Sequence, residues 1–511
     1  MFIRNISWLL WAAVSLLEAS GFSSGVPTRP LITTDHFDVT RQSWNPQEYI
    51  LTPANVASHF GKVGTYSVDG LVYAQPLYIP AVVTSGVQRD LLIVVTQNNT
   101  VYAFDANAPT TAAVWSSNLG TPTTTNCTDL YDSGQEVGIM STPVVDRANN
   151  HLFAVASISG PSWQLFELNL QTGATISSAV ISGSVSGTGS GSSGGTLAFA
   201  ASDQDQRVGL TLANGNVYIG FGGYCDVSPW HGWIFAYSAA SLSQVALFCT
   251  TPNGDGGGIW NSTGGLVVDG MGNLYTYTGN GDWDGTANFG ESILKFNSSL
   301  TLTDWFTPAN WATLNSGDLD LSAGRGMLWN GLIVGSGKDA RVITANASNL
   351  GHLQGVGSGP VQIFSFGSAW LYGGMFFNGA IYFSDWSASD GNNGSGPVYS
   401  FAWNGTAFAT SGTVGLANYG FPGAQLSASS DGAANGILWI TTTSSTASHP
   451  VSIPSGTLRA LNPLTLAEIY NSDTAGGDSL GLLSKMSSPT VAHGRVYVAT
   501  QSSQIAVYGL K

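Results

Sequence analysis

Cations are scarce in this chain. Only 15 residues are Lys or Arg, against 30 Asp and Glu, so the net charge is −15 at neutral pH. Nucleic acid is gripped by clusters of Lys and Arg, and a chain this acidic excludes that partner. Cysteine is almost absent. The three present are Cys127, Cys225 and Cys249, and none forms a C-x-x-C pair. No zinc site and, without C-x-x-C-H, no covalent haem is expected. Beyond the N-terminus no apolar run approaches the length of a membrane span, so no membrane partner is expected either. No G-x-S-x-G, H-E-x-x-H, P-loop or EF-hand spacing occurs. The hydrolase elbow, the zinc protease, the nucleotide loop and the calcium loop are therefore not expected.

Glycine (65) and tryptophan (16) are plentiful, with many Ser, Thr and Asn between apolar segments. That mixture favours strands and tight turns. Residues 1–21 read as a secretory signal peptide: Arg4, an apolar stretch from Ile6 to Leu17, then the small residues Ala19, Ser20 and Gly21. A secreted, extracellular glycoprotein is expected, with N-x-S/T sequons at Asn98, Asn126, Asn261, Asn297, Asn346, Asn393 and Asn404. Asn261, beside Trp260, is expected to be buried and unused. Three cysteines in a secreted chain imply one disulfide and one thiol. Cys127–Cys225 is the first choice, because Cys249 lies in the strand-like run VALFC.

From about residue 25 to residue 511 the chain reads as one domain that repeats at roughly 45–60 residues. Each unit carries an apolar strand, a turn such as NGN, NGA or HGR, a strand of the type xVYxAxx, and one or two more strands. Such units are blades of a β-propeller. The fold class is all-β: eight blades of four antiparallel strands, beginning near Val68, Gly138, Val208, Gly264, Gly324, Gly367, Gln425 and Ser487, with seven blades as the alternative. The last unit lacks a strand, which a segment between Ile32 and Gly64 would supply to close the ring and remove the exposed edges. The run GSVSGTGSGSSGG at 183–195 is expected to be a flexible surface insertion.

Blade endings such as VYAFDANAPTTAAVW (Val101–Trp115) and LFELNLQTG (Leu165–Gly173) resemble the PQQ-type repeat of the quinoprotein alcohol dehydrogenase-like superfamily. The whole chain is similar to secreted PQQ-repeat-like propellers, through GIMSTPVVD, CDVSPWHGW, GGIWNSTGG, DWFTPANW and the C-terminal VYVATQSSQIAVYGL. Between Tyr224 and Asp339 the resemblance reaches the dehydrogenase site. It implies calcium ligands at Asp226 (where the family has Glu) and Asn280 in LYTYTGNGDW. It implies a cofactor-flooring tryptophan at Trp260. In GDLDLSAGRGML it implies a catalytic base at Asp318 with Asp320 close behind, and in GSGKDARVITAN a basic residue, Lys338, reaching the quinone. Calcium takes oxygen ligands and acts as a Lewis acid, and a carboxylate serves as general base, so PQQ and calcium would oxidise a small alcohol or a sugar.

Two further classes stand beside this oxidoreductase. One is a non-catalytic propeller that binds a polysaccharide or a protein outside the cell on exposed aromatics such as Trp230, Trp283 or Trp311. The other is a hydrolase or lyase using acids such as Asp318, Glu291 and Asp226. Each site residue also has a structural role open to it. Asp318, Asp320 and Asn280 suit turns, Trp260 suits inter-blade packing, and Asp226 suits loop ordering. Lys338 suits an ion pair with Asp318 or Asp339, and His231 suits packing and hydrogen bonding.

Overall fold

The tight turns N-G and H-G set the register of the sheets. Ser85-Gly86, Asn214-Gly215, Asn330-Gly331, Asn378-Gly379 and His493-Gly494 all have positive φ at both residues. Each joins two strands directly paired across it. Positive φ at both positions is the geometry whose twist matches antiparallel strands. In the computed structural model, which describes residues 29–125, 136–357, 359–367, 371–386, 395–443 and 453–511, these hairpins build an eight-bladed propeller.

Blade 1 comprises Leu77–Thr84, Val87–Val95, Thr100–Asp105 and Trp115–Asn118. Blades 2 to 7 repeat the pattern, with first strands at Val144–Asp146, Thr211–Ala213, Val267–Val268, Met327–Trp329, Met375–Phe377 and Gln425–Asp431. Blade 8 comprises Thr490–Ala492, Arg495–Ala499 and Gln504–Leu510. First strands of most neighbouring blades touch one another, so they line the axis. Apolar side chains fill the spaces between blades, as Trp163, Phe221, Trp233 and Phe235 do between blades 2 and 3.

The ring closes as the sequence requires, with a strand that begins at the end of the expected stretch and runs past it. Phe60–Ser67 is the fourth strand of blade 8, paired from Phe60 with Leu510 to Ser67 with Gln504. Most of the stretch expected to close the ring, Ile32 to Gly64, has another place. Residues 32–48 run round the axis and meet every first strand or its approach in turn. Ile32 N–H donates to Tyr78 O, Val145 N–H to Thr33 O, Val268 N–H to Val39 O, Leu328 N–H to Thr40 O, Phe376 N–H to Gln42 O, and Ala428 N–H to Ser43 O, all at 2.8–3.0 Å. Thr34 Oγ1 donates to Leu210 O at blade 3, and Asn45 Nδ2 to Val491 O at blade 8. Innermost strands present unpaired backbone groups to the axis, and this plug satisfies some of them in all eight blades.

The plug is held by charge as well. Arg41 is fully buried; its Nη1 donates to Asp35 Oδ1 at 2.6 Å and Thr34 Oγ1 at 2.7 Å, and its Nη2 to Thr211 Oγ1 at 2.7 Å. Asp35 Oδ2 accepts from Gly265 N–H at 2.9 Å. A second buried arginine, Arg325, donates to Ser43 Oγ and Gly374 O. Burial, opposed by Asp35 and reinforced by Arg41, brings it down to about 10. His36, between them, is pushed well below its usual range by burial and by both arginines.

The 183–195 run is less loose than its composition predicts. Ser184–Ser186 pairs with Thr196–Ala198, and Gly189 and Ser190 N–H donate to Pro252 O and Gly254 O. A Cβ on Gly187 would lie 2.2 Å from Pro252 O, so glycine serves close backbone approach here and not mobility. Cys249 is a free, buried thiol that burial pushes up to about 12. Cys127, Asn126, Asn393 and the expected signal peptide lie outside the described residues. Among the described residues no helix is long and apolar enough to cross a membrane.

Candidate functional site

Five of the polar residues singled out by sequence, Asn280, Glu291, Asp318, Asp320 and Lys338, converge where blades 4 and 5 meet. Asn280 follows the second strand of blade 4 (Leu274–Tyr277), and Glu291 precedes its third (Ile293–Phe296). Asp318 and Asp320 lie on the approach to blade 5. Lys338 follows that blade's second strand, Leu332–Ser336. All five sit on loops that leave the sheets on one side, so the scaffold fixes their spacing.

Lys338 is the centre. Its Nζ lies 2.5 Å from Asp320 Oδ2 and 2.9 Å from Asp318 Oδ1. The Lys338 side chain is 13% exposed and that of Asp320 4%, whereas Asp318 is 57% exposed. The triad therefore has a buried end and an open one. Asp320 Oδ1 accepts from Asn280 N–H at 2.9 Å, and Lys338 N–H donates to Asp320 O at 3.1 Å. Burial opposes the charge on Lys338, but Asp320, Tyr372 and Asp318 hold its ammonium above the usual range. Partial burial lifts the Asp318 carboxyl above the ordinary carboxylate range, with Lys338 pulling it down and Asp320 pushing it up.

Gly279 is where this geometry is tightest. A Cβ there would lie 2.1 Å from Asp320 Oδ1. Gly279→Ala is expected to displace the Asp320 carboxylate and to lower stability by about 1–3 kcal/mol, the usual cost of overpacking. Denaturant midpoints for both proteins check this, and an unchanged midpoint would show that the loop yields freely.

Glu291 is fully buried with φ +48. Its Oε2 accepts from Leu321 N–H at 2.7 Å, and its Oε1 has no hydrogen-bond partner. Burial, then Asp320, raises its carboxyl well above the usual 4.5. The folded state therefore keeps a proton that the unfolded chain releases near 4.5, and stability falls as pH rises above that value. Glu291→Gln, which removes this titration, is expected to gain on the wild type as pH rises above 4.5, by at most about 1.4 kcal/mol per pH unit. Parallel unfolding curves across that range would contradict the assignment.

Trp260 borders the same region but is not bare. Arg207 lies over its ring, 4.6 Å from the centroid. Trp230 packs 5.8 Å away, and Gly222 and Gly258 leave no room for a Cβ beside it. Tyr372 links this group to the triad, since its buried phenol feels Lys338, Arg207, Asp320 and Asp318 together. Beside it Phe421, Trp386 and Met486 form an apolar cluster at the axis.

Three more residues singled out by sequence lie in the neighbouring blade 3 region, and one of them, Trp230, departs from expectation. Asp226 stands on an exposed loop at φ +49. Trp230, expected to be exposed, is buried against Gly223 and Gly258 because those glycines leave space for its ring. His231 is packed, with Nδ1 2.9 Å from Thr251 Oγ1 and Nε2 2.8 Å from Ser190 O. Arg207 and Tyr372 were not singled out by sequence. Arg207 had one available signal, its rarity as a cation, whereas Tyr372 had none.

As arranged, these residues do not fit a calcium ion with a quinone laid on Trp260. The carboxylates are already neutralised by Lys338, and one face of Trp260 carries Arg207. Among the described residues no group of three or more His, Cys, Asp or Glu side chains could hold a metal. One feature does suit a hard cation: Asn280 Oδ1 is buried without a hydrogen-bond partner.

No protein-family model and no curated protein matches the sequence. Solved structures do resemble it. A quinohemoprotein alcohol dehydrogenase from Pseudomonas putida HK5 aligns with a TM-score of 0.61 at 12% identity, over 94% of this chain and 80% of its own. The quinohemoprotein alcohol dehydrogenase from Comamonas testosteroni gives 0.60 at 13%, with the same coverage. A europium-containing methanol dehydrogenase gives 0.55 at 11%, over 95% and 98%. At this level of identity the likeness is one of architecture: the chain has the eight-bladed propeller fold of the PQQ-type alcohol dehydrogenases.

Proposed function

We propose that this chain is a secreted, extracellular propeller that binds a small hydroxylated ligand, an alcohol or a sugar, at the junction of blades 4 and 5. The observation that carries this is the Asp318–Lys338–Asp320 triad, buried at one end and open at the other. A carboxylate at the rim accepts hydrogen bonds from hydroxyls, and an ammonium donates to them. Aromatic rings support the same ligand class. Trp283 and Trp311, both half-buried, have ring centroids 5.3 Å apart. They stand on the loops that carry Asn280 and Asp318. Apolar ring faces beside a few placed polar groups are the usual make-up of a small-ligand site.

Calorimetric titration with monosaccharides, disaccharides and simple polyols tests the proposal. Saturable binding weakened by Asp318→Asn and by Trp283→Ala is the expected result. No heat with any of them would overturn it. The mature N-terminus of protein collected from culture medium tests secretion, with cleavage between Ala19 and Ser24 expected.

The second reading is oxidation of the same alcohol or sugar with PQQ and calcium. The unpartnered Asn280 Oδ1 favours it, and it requires Lys338 to release both carboxylates. Calcium-dependent quinone binding with dye-linked turnover, lost in Asp318→Ala, would establish it.

A further inference from the structure

The blade 4–5 junction gathers oxygen atoms in the manner of a hard-cation site. Asp318 and Asp320 contribute carboxylates, and Asn280, whose N–H donates to Asp320 Oδ1, carries an amide oxygen with no hydrogen-bond partner. Hard divalent and trivalent ions take such ligands. Yet the position between the two aspartates is filled by Lys338 Nζ, at 2.5 and 2.9 Å. We propose that the Lys338 ammonium is the resident cation of this nest, so that the native protein takes no calcium or lanthanide ion there.

Three observations support permanence over a chance ion pair. The Lys338 backbone is tied to the acidic loop through its N–H on Asp320 O. Gly337, beside it, sits so close to that loop that a Cβ would meet Asp320 O and Leu321 Cα at 2.8 Å. The ammonium is also mostly enclosed, so its charge is poorly screened and repels a second cation. The same placement of Lys338 underlies the proposed ligand site, but no sugar or alcohol enters the test below. The two can therefore fail separately.

Terbium is the probe, its luminescence excited through nearby aromatic rings. Wild-type protein is titrated with Tb³⁺, as are Lys338→Met and the double variant Lys338→Met/Asp320→Asn. The wild type is expected to show no saturable signal that depends on Asp320. Lys338→Met is expected to bind at least about 100-fold more tightly, because repulsion is replaced by two unneutralised carboxylates, Asp318 and Asp320. That signal should disappear in the double variant, and calcium should raise the melting temperature of Lys338→Met alone. Saturable binding by the wild type that Asp320→Asn abolishes overturns the proposal without recourse to any Lys338 variant. So does a folded Lys338→Met with no gain. If Lys338→Met does not fold, Lys338→Gln makes the same comparison.

Discussion

Arg41→Met is expected to remove about 3–5 kcal/mol of folding stability, the cost of leaving a buried charge without its partner. Asp35 is 1% exposed, and its one cationic hydrogen-bond donor within 3 Å is the Arg41 guanidinium. Thr211 Oγ1 and Leu266 O would lose donors as well. The flexible apolar methionine fills part of the space but satisfies none of these atoms. Chemical denaturation measures the loss, or unfolding rates if refolding is incomplete. The double variant Arg41→Met/Asp35→Leu should recover a large share, since removing both charges leaves nothing unpaired. A loss below about 1 kcal/mol would mean that the plug is not held by this ion pair.

Asp320→Ala comes next, at about 3 kcal/mol, together with loss of ligand binding at the blade 4–5 junction. It leaves a Lys338 ammonium that is only 13% exposed with Asp318, the more exposed of its two carboxylates, and it frees the Asn280 N–H. Asp318→Ala should cost less than about 1 kcal/mol, because that carboxylate is more than half exposed and water screens it. The order of the two variants in stability is the check. Equal losses would mean that Lys338 relies on both carboxylates alike, contrary to their burial.

Much of this fold is legible because its signals are local. An N-G or H-G pair between two apolar runs needs no distant partner to make a hairpin, and the expected unit starts lie within about ten residues of the observed first strands. The association of Lys338 with Asp318 was likewise one of two ion pairs open to a lysine in so acidic a chain. The other, Asp339, bonds to Arg341 instead. What was hidden depends on contacts across the ring. Residues 32–48 have no strand alternation because the segment passes from one blade to the next around the ring. Nothing near Arg207 in sequence says that it will cover Trp260, a residue from the next blade's approach. The burial of Trp230 is hidden for a related reason: the glycines that make room for its ring, Gly223 and Gly258, are themselves far apart in sequence.

The closing strand makes the timing of assembly unusual. Phe60–Ser67 finds its partner only in Gln504–Leu510, the last strand of the chain. During synthesis the early segment therefore waits until every blade between the two strands has been made, and contacts of such separation form slowly. Until those last residues emerge, blade 8 has an open edge and the plug has no complete ring to fill. A ribosome that stops one strand short releases a chain that can join neither end, with the unpaired edges that promote aggregation. A single short strand thus ties the fate of an early segment to every blade made in between.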